Sequence, residues 1–392
     1  MMNDLDTRFR PSPKSMALLR NTAAFFALVF IVGLFLDPRR AWSGYLMGFM
    51  FFTGFSLSGA VCLSVYYLTG ARWGAALRRI PEAMMGTLPY AAVMGIVFLL
   101  GVPSLYEWAH PSVVEASPLL QHKAAWLNVP FFCIRTVIYF AVWIWASRRL
   151  LNEIRAQETD GDRIHTTRNV WNGALFMALF AVTFSLASID WIESLEPEWF
   201  STIFALVTSS GIMTSGLALI MIVAVLMRWS PSLPGLITRN HLDDLGKITM
   251  SFSLFWVYIW FCQYMLIWYT DIPEETTYYV LRNQGGWEVF TPVNIILNFA
   301  IPFLVLMPKR FRRRGPVLLR VAIILLVGRL VDLYWQIMPP LFPDGPTLGL
   351  WEFAPVLAIL AFFIVVFQHK LSETSLIPDR DPWLPLSLSY HC

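Results

Sequence analysis

Ten runs of about twenty residues, each nearly free of charge, dominate this 392-residue chain and leave it few folds to choose from. They fall at about 16–36, 42–68, 80–102, 127–147, 169–192, 199–227, 248–270, 287–307, 316–338 and 350–369. A helical bilayer crossing needs roughly 20 such residues. In lipid every backbone amide must be satisfied within its own segment, so runs of this length read as helices. Charged residues make up 14% of the chain against about 25% in soluble proteins. That excludes a soluble enzyme on a single anchor. An outer-membrane barrel is excluded as well, because its strands alternate over only about ten residues. The first run is too long for a secretory signal, and Asp37-Pro38-Arg39-Arg40 is no small-residue cleavage site, so it is expected to stay as the first span. The expected fold is an all-α polytopic membrane protein.

Most of the 29 Lys and Arg residues fall on one side if the spans alternate and the N-terminus lies inside. Only Arg39, Arg40, Lys123 and Arg282 face the other way, and Arg135 and Arg329 sit within spans. Both termini are therefore expected in the cytoplasm. The basic run from Lys309 to Arg314 then reads as a topology anchor near anionic lipid and implies no nucleic acid.

A four-span shift relates two stretches of the chain. The fourth span opens with Trp126-Leu127-Asn128-Val129-Pro130, and the eighth with Trp287 followed by Pro292-Val293-Asn294. The fifth finishes near Asp190-Trp191 and the ninth near Asp332-Leu333-Tyr334-Trp335. Glu198-Trp199-Phe200 and Trp351-Glu352-Phe353 then open the sixth and tenth. An even shift keeps both copies in the same orientation, which predicts an axis along the membrane normal. The expected division is 1–76 with two lead helices, 77–228 and 229–370 as parallel-related four-helix bundles, and 371–392 as a cytoplasmic tail.

Cys62, Cys133, Cys262 and Cys392 each stand alone, so no Cys-x-x-Cys-His haem attachment, iron–sulfur cluster or structural zinc site is encoded. His110, His122, His165, His241, His369 and His391 fall in loops, tails or span ends, where no pair clamps a b-type haem at depth. No metal and no redox cofactor is expected on this chain.

Ionisable groups at membrane depth are expensive and are functional candidates by default. Arg329 and Asp332, three apart, share one face of the ninth span. Arg135 and Asp190 lie at similar depth on the fourth and fifth and are expected to pair across helices. Each pair reads either as self-neutralising structure or as part of a proton route. Asn294 and Asn298 add a polar stripe on the eighth span, suited equally to interhelical hydrogen bonding. At the cytoplasmic interface, His241, Asp243, Asp244 and Lys247 lead into the seventh span and Glu82 stands near the start of the third. The two aspartates either cap a helix or admit protons. On the outer side Asp190, Glu193, Glu196, Glu198, Asp271, Glu274 and Glu275 gather at span ends, as a solvated rim or a docking face.

The passage His241-Leu242-Asp243-Asp244-Leu245-Gly246-Lys247, running on through Phe255-Trp256-Val257-Tyr258-Ile259-Trp260-Phe261-Cys262-Gln263-Tyr264 to Ile272-Pro273-Glu274-Glu275-Thr276, resembles the NrfD-like integral subunits of respiratory complexes. It is most similar to the ActF-type subunit of bacterial alternative complex III, a quinol:cytochrome c or electron acceptor oxidoreductase. The resemblance implies a multi-pass subunit of the bacterial inner membrane and quinol or menaquinol as the substrate of the assembly. It also implies a sister ActC-type subunit, small membrane subunits, and periplasmic iron–sulfur and multihaem cytochrome c partners that hold the haem c and the clusters. A quinone motif on this chain is not evident. Proton movement would fall to Glu82, Arg135, Asp190, Asp243, Asp244, Arg329 and Asp332, with Glu193, His241, Lys247, Asn294 and Asn298 in support. Two rival readings are a secondary transporter, from the repeat and the buried charge, and a structural scaffold, from the missing cofactor ligands.

Overall fold

The computed structural model describes residues 8–231, 233 and 235–390; His391 and Cys392 lie outside the described residues. Among these, the secondary structure is helical, with a lone bridge between Arg8 and Ser375. Among the described residues, nine helices are long and apolar enough to cross a membrane: α1 Pro13–Leu36, α2 Pro38–Thr69, α3 Arg79–Leu99, α4 Val129–Asp160, α5 Ile164–Leu195, α6 Phe204–Trp229, α7 Arg239–Thr270, α8 Trp287–Leu306 and α10 Leu350–Ser372. The run at 316–338 forms α9, Gly315–Ile337, whose 23 residues span about 34 Å at 1.5 Å each. What separates it from the nine is charge, since Arg320, Arg329 and Asp332 all lie on it. The chain is an all-α polytopic membrane protein.

Proline and glycine set the breaks. Pro38 starts α2 directly after α1, with the Asp37 side chain accepting from the Arg40 amide. α3 is interrupted at Gly86 and Thr87, where the Thr87 hydroxyl donates to the Met84 carbonyl and meets Ser56 Oγ of α2 at 2.6 Å. α8 contains a π-helical turn over Ile296–Ala300. Pro302 has no N–H for the Asn298 carbonyl one turn back, and Ser253 of α7 donates to that carbonyl instead.

Several helices run past their apolar cores. α4 continues to Asp160 and α7 begins at Arg239, well outside 127–147 and 248–270, since helix persists where the sequence turns polar. α2 is the centre of the molecule, almost wholly covered by α1, α3, α5, α6 and α10. Side-by-side packing closes one ring, α2–α5, through α2 against α5, and a second, α6–α9, through α6 against α9. α10 lies against α1, α2 and α3. The rings start one span earlier than the units expected at 77–228 and 229–370, while α4 still matches α8 and α5 still matches α9. The small stem of α2 permits this: a Cβ on Gly44 would overlap the Glu352 carbonyl of α10, and one on Gly59 would press on α3.

The first and last described segments lie on one face. Arg8 pairs with Ser375, and helix Leu384–Leu388 packs on the 3-10 helix Arg72–Leu77 between α2 and α3. We call this the terminal face. The opposite face carries the α4, α6 and α8 starts, together with the short amphipathic helix Pro273–Arg282.

Candidate functional site

The matched helices of the two rings each carry one fully buried aspartate, and the two are held differently. On the α5 side, Arg135 clamps Asp190 with two hydrogen bonds of 2.8 Å. The Tyr139 hydroxyl and the Trp126 indole donate to the same carboxylate at 2.7 and 3.0 Å. Arg135 also donates to the Trp126 carbonyl and stacks over the Trp126 and Phe131 rings at 4.1 and 4.3 Å. Four donors on one carboxylate leave its acceptor positions saturated. The cross-helix pairing expected from depth is present.

On the α9 side, Asp332 contacts Arg329 one turn back and accepts from Asn294 of α8 at 3.3 Å. Asn298 donates to Asn294 Oδ1 at 2.8 Å and to the Gly328 carbonyl at 3.0 Å, so the asparagine stripe is part of the same group. Gly211 of α6 leaves the space that the Arg329 guanidinium fills. Buried polar atoms here without a hydrogen-bond partner among the described residues include Arg329 Nη2, Trp260 Nε1, Trp335 Nε1 and both amide atoms of Gln336. Trp260 and Trp335 are 6.2 Å apart, and Trp335 lies 6.3 Å from Tyr279. Tyr279 and Tyr264 line a cavity of about 620 Å³ on the face away from the termini. The dense aromatic run in α7 therefore divides. Trp256 and Trp260 pack inward towards this group, whereas Tyr258, Phe261, Trp268 and Tyr269 point out of the bundle.

At the terminal face, Glu82 belongs to a buried network. It pairs with Arg78 at 2.6 Å and Arg79 at 2.8 Å, Arg79 also binds Glu158, and Arg78 reaches Asp381 of the tail at 2.6 Å. Tyr66 donates to the same Asp381 carboxylate. Burial works against the Arg78 charge, but Tyr67, Glu82 and Asp381 outweigh it and hold the pKa well above the ordinary value.

The aspartates leading into α7 do not cap it. Thr238 is the N-cap and exchanges hydrogen bonds with His241, while Asp243 pairs with Arg312 at 2.8 Å and Asp244 with Lys247 at 2.7 Å. The reason is register: with Thr238 at the cap, both acids fall beyond the first turn. His241 further meets Ser387 Oγ of the tail at 3.0 Å. Arg312 also donates to the Leu306 and Met307 carbonyls that close α8, so the basic run does more than anchor topology.

The outer acids are not one solvated rim. Glu198, Asp271 and Glu274 are exposed, but Asp190 is clamped, Glu193 is buried and accepts from the Ser201 amide at 2.7 Å, and Glu196 pairs with Arg282 at 2.6 Å. Arg282 is buried, donates to the Trp335 and Gln336 carbonyls at the end of α9, and lies 3.4 Å over the Tyr278 ring. Arg282, Asp381, Glu158 and the Arg40–Glu352 pair were not among the residues singled out from the sequence as site candidates. Their partners are too distant in sequence to be inferred from spacing, as with 303 residues between Arg78 and Asp381. Among the described residues, no three His, Cys, Asp or Glu side chains group as metal ligands. Neither protein-family models nor curated proteins give a match to this chain.

Proposed function

We propose that this chain is a haem-free membrane subunit of a bacterial respiratory quinol:electron acceptor oxidoreductase of the alternative complex III type, and that its Asp332 group moves protons. The observation that carries the reading is the contrast between the two matched acids. Asp190 has every acceptor position filled, which suits a structural strut. Arg329, which pairs with Asp332, and the nearby Trp260, Trp335 and Gln336 carry buried polar atoms without partners, and leaving such groups dry costs about 1–3 kcal/mol each. Water offsets that cost where a site is polar and roomy. A carboxylate within reach of water and of an arginine can take up and release a proton as its surroundings change.

The resemblance in α7 supplies the setting. Quinol oxidation releases protons together with electrons, and a subunit without cofactors contributes by carrying those protons and by docking its neighbours. In this reading the chain sits in the inner membrane with both termini cytoplasmic, beside an ActC-type sister subunit, small membrane subunits and lipid. Haem c and iron–sulfur clusters sit on periplasmic partners. The exposed Glu198, Asp271 and Glu274 lie on the face those partners would meet.

The test is purification of the tagged chain from native membranes in mild detergent. Haem c absorbance and iron–sulfur signals in one complex with quinol turnover support the assignment. A lone homodimer that takes up solute would replace it with a transporter. Per complex that assembles, Asp332→Asn is expected to lower coupled proton release and turnover at least tenfold, and full activity of that variant would remove Asp332 from the path.

A further inference from the structure

A cleft of about 250 Å³ opens on the terminal face between α3, α4 and α10. Its lining on α4 recurs every three or four residues, at Ile144, Ser147, Leu151, Arg155 and Glu158, which makes it one continuous helical face. The cleft grades in polarity along that face. Leu88, Pro89 and Ile144 line the part nearer the middle of the helices, and charged side chains line the mouth.

Four cations and three acids line it, and their pairing leaves one cation over. Arg79 is bound by Glu82 and Glu158, and Lys370 by Glu373 at 2.6 Å. Lys370 lies across the break in α3, where a Cβ on Gly86 would come within 3.3 Å of its stem. Arg155 only reaches Glu373 at 3.9 Å and stays mostly exposed. Arg148 has no partner among the described residues. Beside it on the same wall, the hydroxyl of Ser147, a residue 3% exposed, is buried without a hydrogen-bond partner.

We propose that this cleft binds one anionic phospholipid, its phosphodiester held by Arg148, Ser147 and Arg155 and an acyl chain laid along Leu88 and Ile144. The charge balance selects the ligand. One surplus positive charge matches the single net negative charge of a phosphatidylglycerol-type headgroup. A zwitterionic lipid would bring a second cation against a set that is already balanced. Arginine forks suit phosphate oxygens, and the buried Ser147 hydroxyl gains the acceptor it lacks. A soluble phosphate ion leaves the apolar half of the cleft unfilled, whereas an acyl chain covers it. The site also lies at the level where the helices end, which is where headgroups sit.

The test uses the full chain in detergent, titrated with phosphatidylglycerol or phosphatidylcholine and read by native mass spectrometry. Phosphatidylglycerol should be retained at least tenfold more strongly. The double variant Arg148→Gln/Arg155→Gln should bring its retention down to the phosphatidylcholine level, and Ser147→Ala should lower it several-fold. Both arginines are exposed, and an unchanged thermal transition checks that the double variant folds. Arg314→Gln/Arg320→Gln removes equal charge from exposed positions outside the cleft and should leave retention unchanged. Equal retention of the two lipids, or undiminished retention in the folded cleft variant, would overturn the proposal. So would an equal loss in the Arg314/Arg320 control, which would reveal diffuse attraction, or displacement of the lipid by millimolar inorganic phosphate, which would make the ligand a free anion.

Discussion

A buried charge is defined by how many partners it has, and the two aspartates of the rings are opposite cases. Removing the charge from Asp190 leaves Arg135 buried without a counter-ion, a change that costs about 3–5 kcal/mol. Asp190→Asn is therefore expected to lower the yield of folded protein and its thermal transition, read by size-exclusion chromatography and a thermal scan, before any effect on activity. Asp332→Asn likewise takes the counter-ion from the buried Arg329 and should lower both by a comparable amount. Unchanged stability in either variant would show that its arginine finds compensation elsewhere. Much of this was legible beforehand. The three-residue spacing of Arg329 and Asp332 and the similar depth of Arg135 and Asp190 follow from helical periodicity alone. The saturation of one and the open donors of the other do not, since they depend on Trp126, Tyr139, Trp260 and Trp335 arriving from separate turns and helices.

At the scale of the element, close approach between helices is set by what is missing from them. Gly44→Ala drives a methyl into the Glu352 carbonyl, and backbone cannot rotate away as a side chain can. The overpacking should destabilise by about 1–3 kcal/mol, seen as a lowered thermal transition. In α8, Ser253→Ala removes the donor to the carbonyl that Pro302 leaves open, an expected loss of about 1–3 kcal/mol by the same measurement. Both positions look unremarkable as sequence. The apolar runs located the helices well because lipid enforces them, but they undercounted α4 and α7 by more than a turn. Polar residues such as Arg155 and Asp243 continue a helix through packing and ion pairs that a hydropathy pattern does not register.

The whole molecule is two rings, the first built on α2, with the described ends of the chain stitched together beneath them. Trp, Pro and Asp positions suggested a four-span shift, and the ring boundaries were not legible there, because the deciding contacts are α2 with α5 and α6 with α9. Asp381→Asn should loosen the tail and expose the segment around 375–390 to protease and amide exchange, while α6–α9 remain protected. Equal protection before and after the change would show that the tail is held by packing alone.

That stitch also imposes an order of events in time. Arg78 leaves the ribosome 303 residues ahead of Asp381. At about 5–20 residues per second this is a wait of about 15–60 s. For that interval the arginine has only its near neighbours, and the loop between α2 and α3 lacks the segment that completes it. A nascent chain that stops short of residue 381 keeps this loop unfinished however well its helices insert. The junction thus closes only once translation has passed that point.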